Sequence, residues 1–189
     1  MKKTMLFFLP VITVGILLTA CSGNEAGRGA DSTEIIADNA PQASQLDSSS
    51  PAASDTAFAN KAAVSGLAEV ALGKMAAAKG ASAEVKNFGN MMVKDHGAAN
   101  EELKSIAQKK NLTLPTGLDA EHQAKSDSLS KLSGKDFDKA YIKVMIDGHH
   151  KTLAIMNTEA NGGQDVDLKA FAKKTAPIVQ HHLDKISKM

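Results

Sequence analysis

The chain has 189 residues, 43% of them hydrophobic, with 22 Lys and Arg against 21 Asp and Glu, one cysteine, one tyrosine and no tryptophan. A formal charge of +1 and so few aromatic side chains provide neither a cationic track nor a stacking platform, which excludes nucleic acid as a partner. A lone Cys21 excludes internal disulfides and multi-cysteine zinc sites.

The chain opens with Lys2 and Lys3, runs through an apolar stretch from Met5 to Leu18, and reaches Leu18-Thr19-Ala20-Cys21. This pattern predicts a secretory signal peptide over residues 1–20 that ends in a lipobox. A membrane-spanning helix needs about 20 apolar residues, and this run is shorter and stops at small residues. Cys21 is then the lipidated first residue of the mature protein, its thiol consumed by a diacylglyceryl thioether. Together with an N-acyl chain this supplies more than one anchor, enough for stable attachment. The partner the sequence names is therefore the membrane, reached through that anchor, while protein partners go unspecified. Ser22 follows the cysteine where an aspartate would favour the inner membrane, so the expected address is the cell envelope, at the periplasmic face of the outer membrane. Loss of Lys2 and Lys3 moves the formal charge to −1.

Residues 21–54 are Ser, Ala, Asp, Gly and Pro with scattered Ile and Leu, too little apolar surface to offset the entropy of ordering. They read as a disordered tether. Gly23, Gly27 and Gly29 lie in it without a preceding strand, so they do not make a phosphate loop. Residues 55–189 suit one domain with one core.

Four segments of that domain carry helical periodicity: Asp55 to Gly80, Ser82 to Lys110, Lys135 to Asn161, and Asp165 to the C-terminus. Gly80 ends the first and Ser82 caps the second; Asn161-Gly162-Gly163 ends the third and Asp165 caps the fourth. Two short turns thus predict two antiparallel hairpins. Asn111 to Gly134 holds Pro115, Gly117 and a short helix from Asp119 to Leu132, long enough to span a bundle of about 40 Å. The expected fold is all-α: a ferritin-like antiparallel four-helix bundle with a long crossover containing a short helix. Pro177 is expected to bend the last helix. A faint echo links Glu84-Val85-Lys86-Asn87-Phe88 with Asp167-Leu168-Lys169-Ala170-Phe171, as a duplicated hairpin would.

At 100° per residue, His96 falls within the apolar row Val85, Phe88, Met92, Ala99, Leu103, Ile106. His149 centres the arc of Ile142, Met145, Leu153 and Met156, leaving His150 outside. His182 joins Leu168, Phe171, Thr175, Val179, Leu183 and Ile186, leaving His181 outside. In the first segment Glu69 interrupts the row of Phe58, Ala62, Ser65, Leu72 and Ala76. All four polar residues lie roughly 16 to 24 Å from their hairpin turns, so they can share one layer. One inward polar group per helix at one height is how bundles build metal sites. Glu69, His96, His149 and His182 are therefore the candidate ligands of a transition metal: zinc, iron or copper. Met92 and Met145, each four residues before a histidine, are alternative soft ligands that would favour copper. Core packing explains these methionines equally well, and satisfied core histidines explain a layer that is architecture only.

The domain resembles a bacterial family known as domain of unknown function 4142, whose members are described as exported or outer-membrane proteins with ferritin-like folds. The resemblance rests on Gly66-Leu67-Ala68-Glu69 and Leu72-Gly73, on Met92-Val93-Lys94-Asp95-His96, and on Leu114-Pro115. It continues through Phe137-Asp138, Tyr141 and His149 to Leu168-Lys169-Ala170-Phe171-Ala172, Pro177 and His181-His182-Leu183. It implies recurring histidines at His96, His149 and His182, together with a fold and an address but no activity. Gly148 stands where the family commonly has an acid, and Met156-Asn157 where it commonly has an aromatic.

Three functions compete: a metal-binding envelope module, a structural or interaction lipoprotein, and a ferritin-like redox enzyme. A di-iron oxidase needs four carboxylates and two Glu-x-x-His motifs, and only Asp147 with His150 approaches one. No nucleophile triad or His-Glu-x-x-His appears. The expectation is a protein that is not an enzyme.

Overall fold

The computed structural model describes residues 50–189; the leader, Cys21 and nearly all of the tether lie outside the described residues. Five helices follow in order: α1 Ala53–Lys79, α2 Ala83–Lys109, α3 Ala120–Ser130, α4 Gly134–Gly162 and α5 Val166–Ile186. No strand occurs among the described residues. The ends obey local rules. The Ser82 side chain accepts from the Val85 N–H at 3.2 Å, Asp119 from His122 at 2.8 Å, and Asp165 from Asp167 and Leu168, both at 3.0 Å. Helix α5 continues through Pro177, which faces solvent, so the Lys173 carbonyl that loses its donor is open to water.

Topology follows from two aspartates. Asp138, at the start of α4, accepts from the Ala81 and Ser82 N–H groups, both at 2.8 Å. Asp55, at the start of α1, accepts from Gln164 at 3.2 Å and Asp165 at 2.7 Å. Each hairpin thus begins by pinning the turn of the other. Helix α4 must start at the α1/α2 turn, the end opposite the C-terminus of α2, and α3 carries the chain back along α1 and α4. This is the end-to-end crossover. Helix α1 neighbours α2 and α4, and α5 neighbours α4 and α2, so all four neighbouring pairs run antiparallel.

The sequence echo extends to these devices. Asp55 and Asp138, Gly80 and Gly163, Ser82 and Asp165, Val85 and Leu168, and Phe88 and Phe171 are each 83 residues apart. Gly80 (φ −52°, ψ 140°) and Gly163 (φ −59°, ψ 144°) leave their helices by the same route. Neither has a positive φ. Glycine is needed because a Cβ would fall 2.8 Å from the Ala76 carbonyl oxygen and 2.7 Å from that of Glu159.

Two apolar clusters fill the bundle. One surrounds Phe88, Phe137, Tyr141 and Ile186 towards the α1/α2 turn; the other surrounds Phe58, Leu103, Met156 and Phe171 towards the α4/α5 turn. Between them lies a polar slab.

Candidate metal centre

That slab contains Glu69, His96, His149 and His182, whose exposures are only 4%, 4%, 0% and 0%. His150 and His181, their sequence neighbours, are exposed. Helical phase separates each pair because adjacent residues differ by 100°. The three inward rings pack with centroids 5.6 Å apart for His96 and His149, 5.1 Å for His96 and His182, and 5.6 Å for His149 and His182. One ring nitrogen from each lies within 4.8 Å of the others. Phe88 closes the slab on one side, 6.1 Å from His149 and 6.3 Å from His182.

Each ring is held from behind. His149 Nδ1–H donates to the Met145 carbonyl at 2.8 Å, and His182 Nε2–H donates to Asp95 Oδ2 at 3.0 Å. His96 Nδ1 lies 2.9 Å from Glu69 Oε2, an ion-pair contact off the line of a good hydrogen bond. A carbonyl or carboxylate can only accept, which sets the tautomers of His149 and His182. Their other nitrogens, His149 Nε2 and His182 Nδ1, together with His96 Nε2, have no partner.

Burial and neighbouring charges divide the rings. Burial pushes the Glu69 carboxyl up, but the pull of His96 first, then His149 and His182, overcomes it and brings the pKa down to about 2. Burial disfavours the His96 cation, yet Glu69 more than compensates and its pKa is raised. Burial lowers His149 despite Glu69. It also lowers His182, to about 4, against the hydrogen bond to Asp95 and with the help of the neighbouring His96 and His149. The result is an ion pair beside two neutral imidazoles with bare lone pairs.

Glu69 sits behind His96 rather than level with the three inner nitrogens. Its Oε1 takes a 3.3 Å bond from Thr152 and lies 3.8 Å from His149 Nδ1. Met92 and Met145 are buried in the apolar cluster beside Phe88. The four-residue step from Met145 to His149 also has a backbone explanation, since the Met145 carbonyl is the acceptor for His149. Sequence reasoning missed Asp95. Its adjacency to His96 was visible, but its role depends on α5 being the neighbouring helix. Tyr141 offers a hydrogen-bonding group that the inward histidines could use, but it packs beside Phe88 instead. Its buried hydroxyl has no partner, and burial, then the Glu69 charge, raises its pKa.

Residues 40–189 match the family described as Domain of unknown function (DUF4142). The chain belongs to that family. No curated protein matches it. A solved DUF305 fragment from Deinococcus radiodurans is similar in structure, with a TM-score of 0.66 and 9% identity over 74% of this chain and 97% of that one. At that identity the likeness is one of fold. The chemistry of this DUF4142 domain has to come from its own residues.

Proposed function

We propose that this DUF4142 protein is an envelope lipoprotein that holds a transition-metal ion between His96, His149 and His182, and that it binds the ion without catalysing a reaction. The observation that carries the reading is the pairing pattern: every imidazole is engaged at its outer nitrogen and unpartnered at its inner one, where His96, paired with Glu69, releases its second proton when metal binds. Metal-binding histidines commonly have that arrangement, with a carboxylate or carbonyl orienting the ring. An architectural layer would bond its nitrogens to one another, whereas the three inner ones have no partner. Metal–nitrogen distances of about 2.0–2.1 Å require the nitrogens to close up by small side-chain rotations. Glu69 and Asp95, one shell out, offset the charge of a divalent ion. Three imidazoles and an open position suit zinc, and also accept copper or iron. The anchoring half rests on the leader pattern and Cys21: Cys21→Ser should abolish palmitate labelling and lipoprotein-type cleavage.

The test is metal content of the whole lipidated protein in detergent after loading. One ion per chain is expected. His96→Ala, His149→Ala and His182→Ala should each lose it, while His150→Ala and His181→Ala keep it. Asp95→Asn should weaken affinity about 10- to 100-fold by releasing the His182 ring. Reduced copper retention in Met92→Leu or Met145→Leu would assign a thioether ligand. A protein that retains no metal under any loading condition has a polar layer that only sets helix register.

A further inference from the structure

We propose that the ion reaches the three imidazoles through a cavity between α1, α3 and α4, and that Glu69 at its inner end is the first protein ligand of an incoming divalent cation. This rests on the metal reading above. The cavity measures about 80 Å³ and is lined by Ser65 of α1, Gly148 and Thr152 of α4, and Glu121 and Lys125 of α3. At about 30 Å³ per water, that is room for a cation keeping part of its water shell. Glu69 lines the same cavity and also touches His96. It is 4% exposed, its Oε2 has no well-directed hydrogen bond, and its Oε1 has only the long bond from Thr152. A buried carboxylate with one oxygen held only by a long hydrogen bond, between the opening and the His96 ring, is suited to taking a cation and passing it inward. Asp95 also reaches solvent, but it lines no part of this cavity and is held by its 3.0 Å hydrogen bond from His182.

Helix α3 covers the mouth and is fastened unevenly. Its C-terminal end is anchored by buried Leu129 and by Lys79 Nζ, which donates to the Ser130 carbonyl at 2.6 Å. Its N-terminal half is tied to α4 by Lys151 and Glu121, 2.8 Å apart, with side chains 68% and 56% exposed. An ion pair that open is weak and salt-screened, so this half can lift while the other holds. Glu121 stands against Lys125 and Lys151 around the opening, and Glu69 further in offsets the one positive charge left over.

The test is stopped-flow zinc uptake and release by the full-length protein in detergent. A Cβ on Gly148 meets nothing within 4 Å, so Gly148→Leu starts from open space at the cavity wall and serves as the plug. Uptake and release should both slow at least tenfold with Kd unchanged; Ser65→Leu supplies the same plug from the opposite wall should the first variant misfold. Lys151→Ala, which opens the same tie and removes a positive charge from the mouth, should speed both rates severalfold, as should added salt. Wild-type rates in both plugged variants would overturn the route while leaving the metal site standing. A weaker Kd caused by faster release would also overturn it, because the wall would then be shaping the site. A wild-type protein that takes up no zinc, copper or iron at equilibrium overturns the metal reading itself.

Discussion

The two ends of the bundle use the same latch in different electrostatic settings. At the α1/α2 turn, Asp138 takes two backbone N–H groups beside Ala76 and Ser82. At the α4/α5 turn, Asp55 does the same, but the equivalent positions hold Glu159 and Asp165. Burial, and then the charges of Asp55 and Asp165, push the Glu159 carboxyl up. Lys110 answers part of this crowding, 2.8 Å from both Asp165 and Asp167. A repeated backbone device therefore need not contribute equally: charge at the second end works against the hydrogen bonds that close it.

The comparison can be broken by removing each latch. Asp138→Ala should cost about 2 kcal/mol in urea unfolding, because two partly buried N–H groups lose a charged acceptor. Asp55→Ala frees the same number of backbone N–H groups but also relieves repulsion, so a loss of about 1 kcal/mol is expected. Equal losses would mean that the acidic setting is irrelevant. Glu159→Gln sharpens the contrast in the other direction, stabilising the protein at pH 7 by up to about 1 kcal/mol. A carboxyl whose folded pKa is raised contributes stability below its unfolded value near 4.5, which disappears as pH rises through the folded value. The charge penalty is thus present at pH 7 and absent below pH 4.5, and the variant's advantage should vanish there. An advantage of the same size at pH 4 would point to packing instead.

Helix positions and the inward histidines were legible in the sequence because both depend on local periodicity. Phase alone separates His149 from His150, and Gly80, Ser82, Gly163 and Asp165 mark ends within a few residues of those observed. The latches were not legible. An acid near the N-terminus of a helix is already explained by the helix dipole, and nothing local indicates that Asp138 and Asp55 bond backbone 57 and 110 residues away. Asp95 escaped for a related reason: phase puts it on a flank of α2, but only the packing order puts α5 there. Glu69 was expected level with the histidines and stands one side chain behind. Periodicity resolves a helical face and a height, not the order of side chains between a ring and its support.

The reciprocal latches also bear on the order in which the chain can fold. A plain up-down bundle can add helices one at a time, each hairpin closed by its own turn. Here the turn of the first hairpin lacks its carboxylate until Asp138 arrives, and the start of α1 stays unpinned until residues 164 and 165 have been made. These contacts are distant in sequence, which raises contact order and slows folding relative to a simple helical bundle. Neither hairpin carries its own closure: synthesis must reach the third long helix before the first turn is latched, and the start of the fourth before the second is.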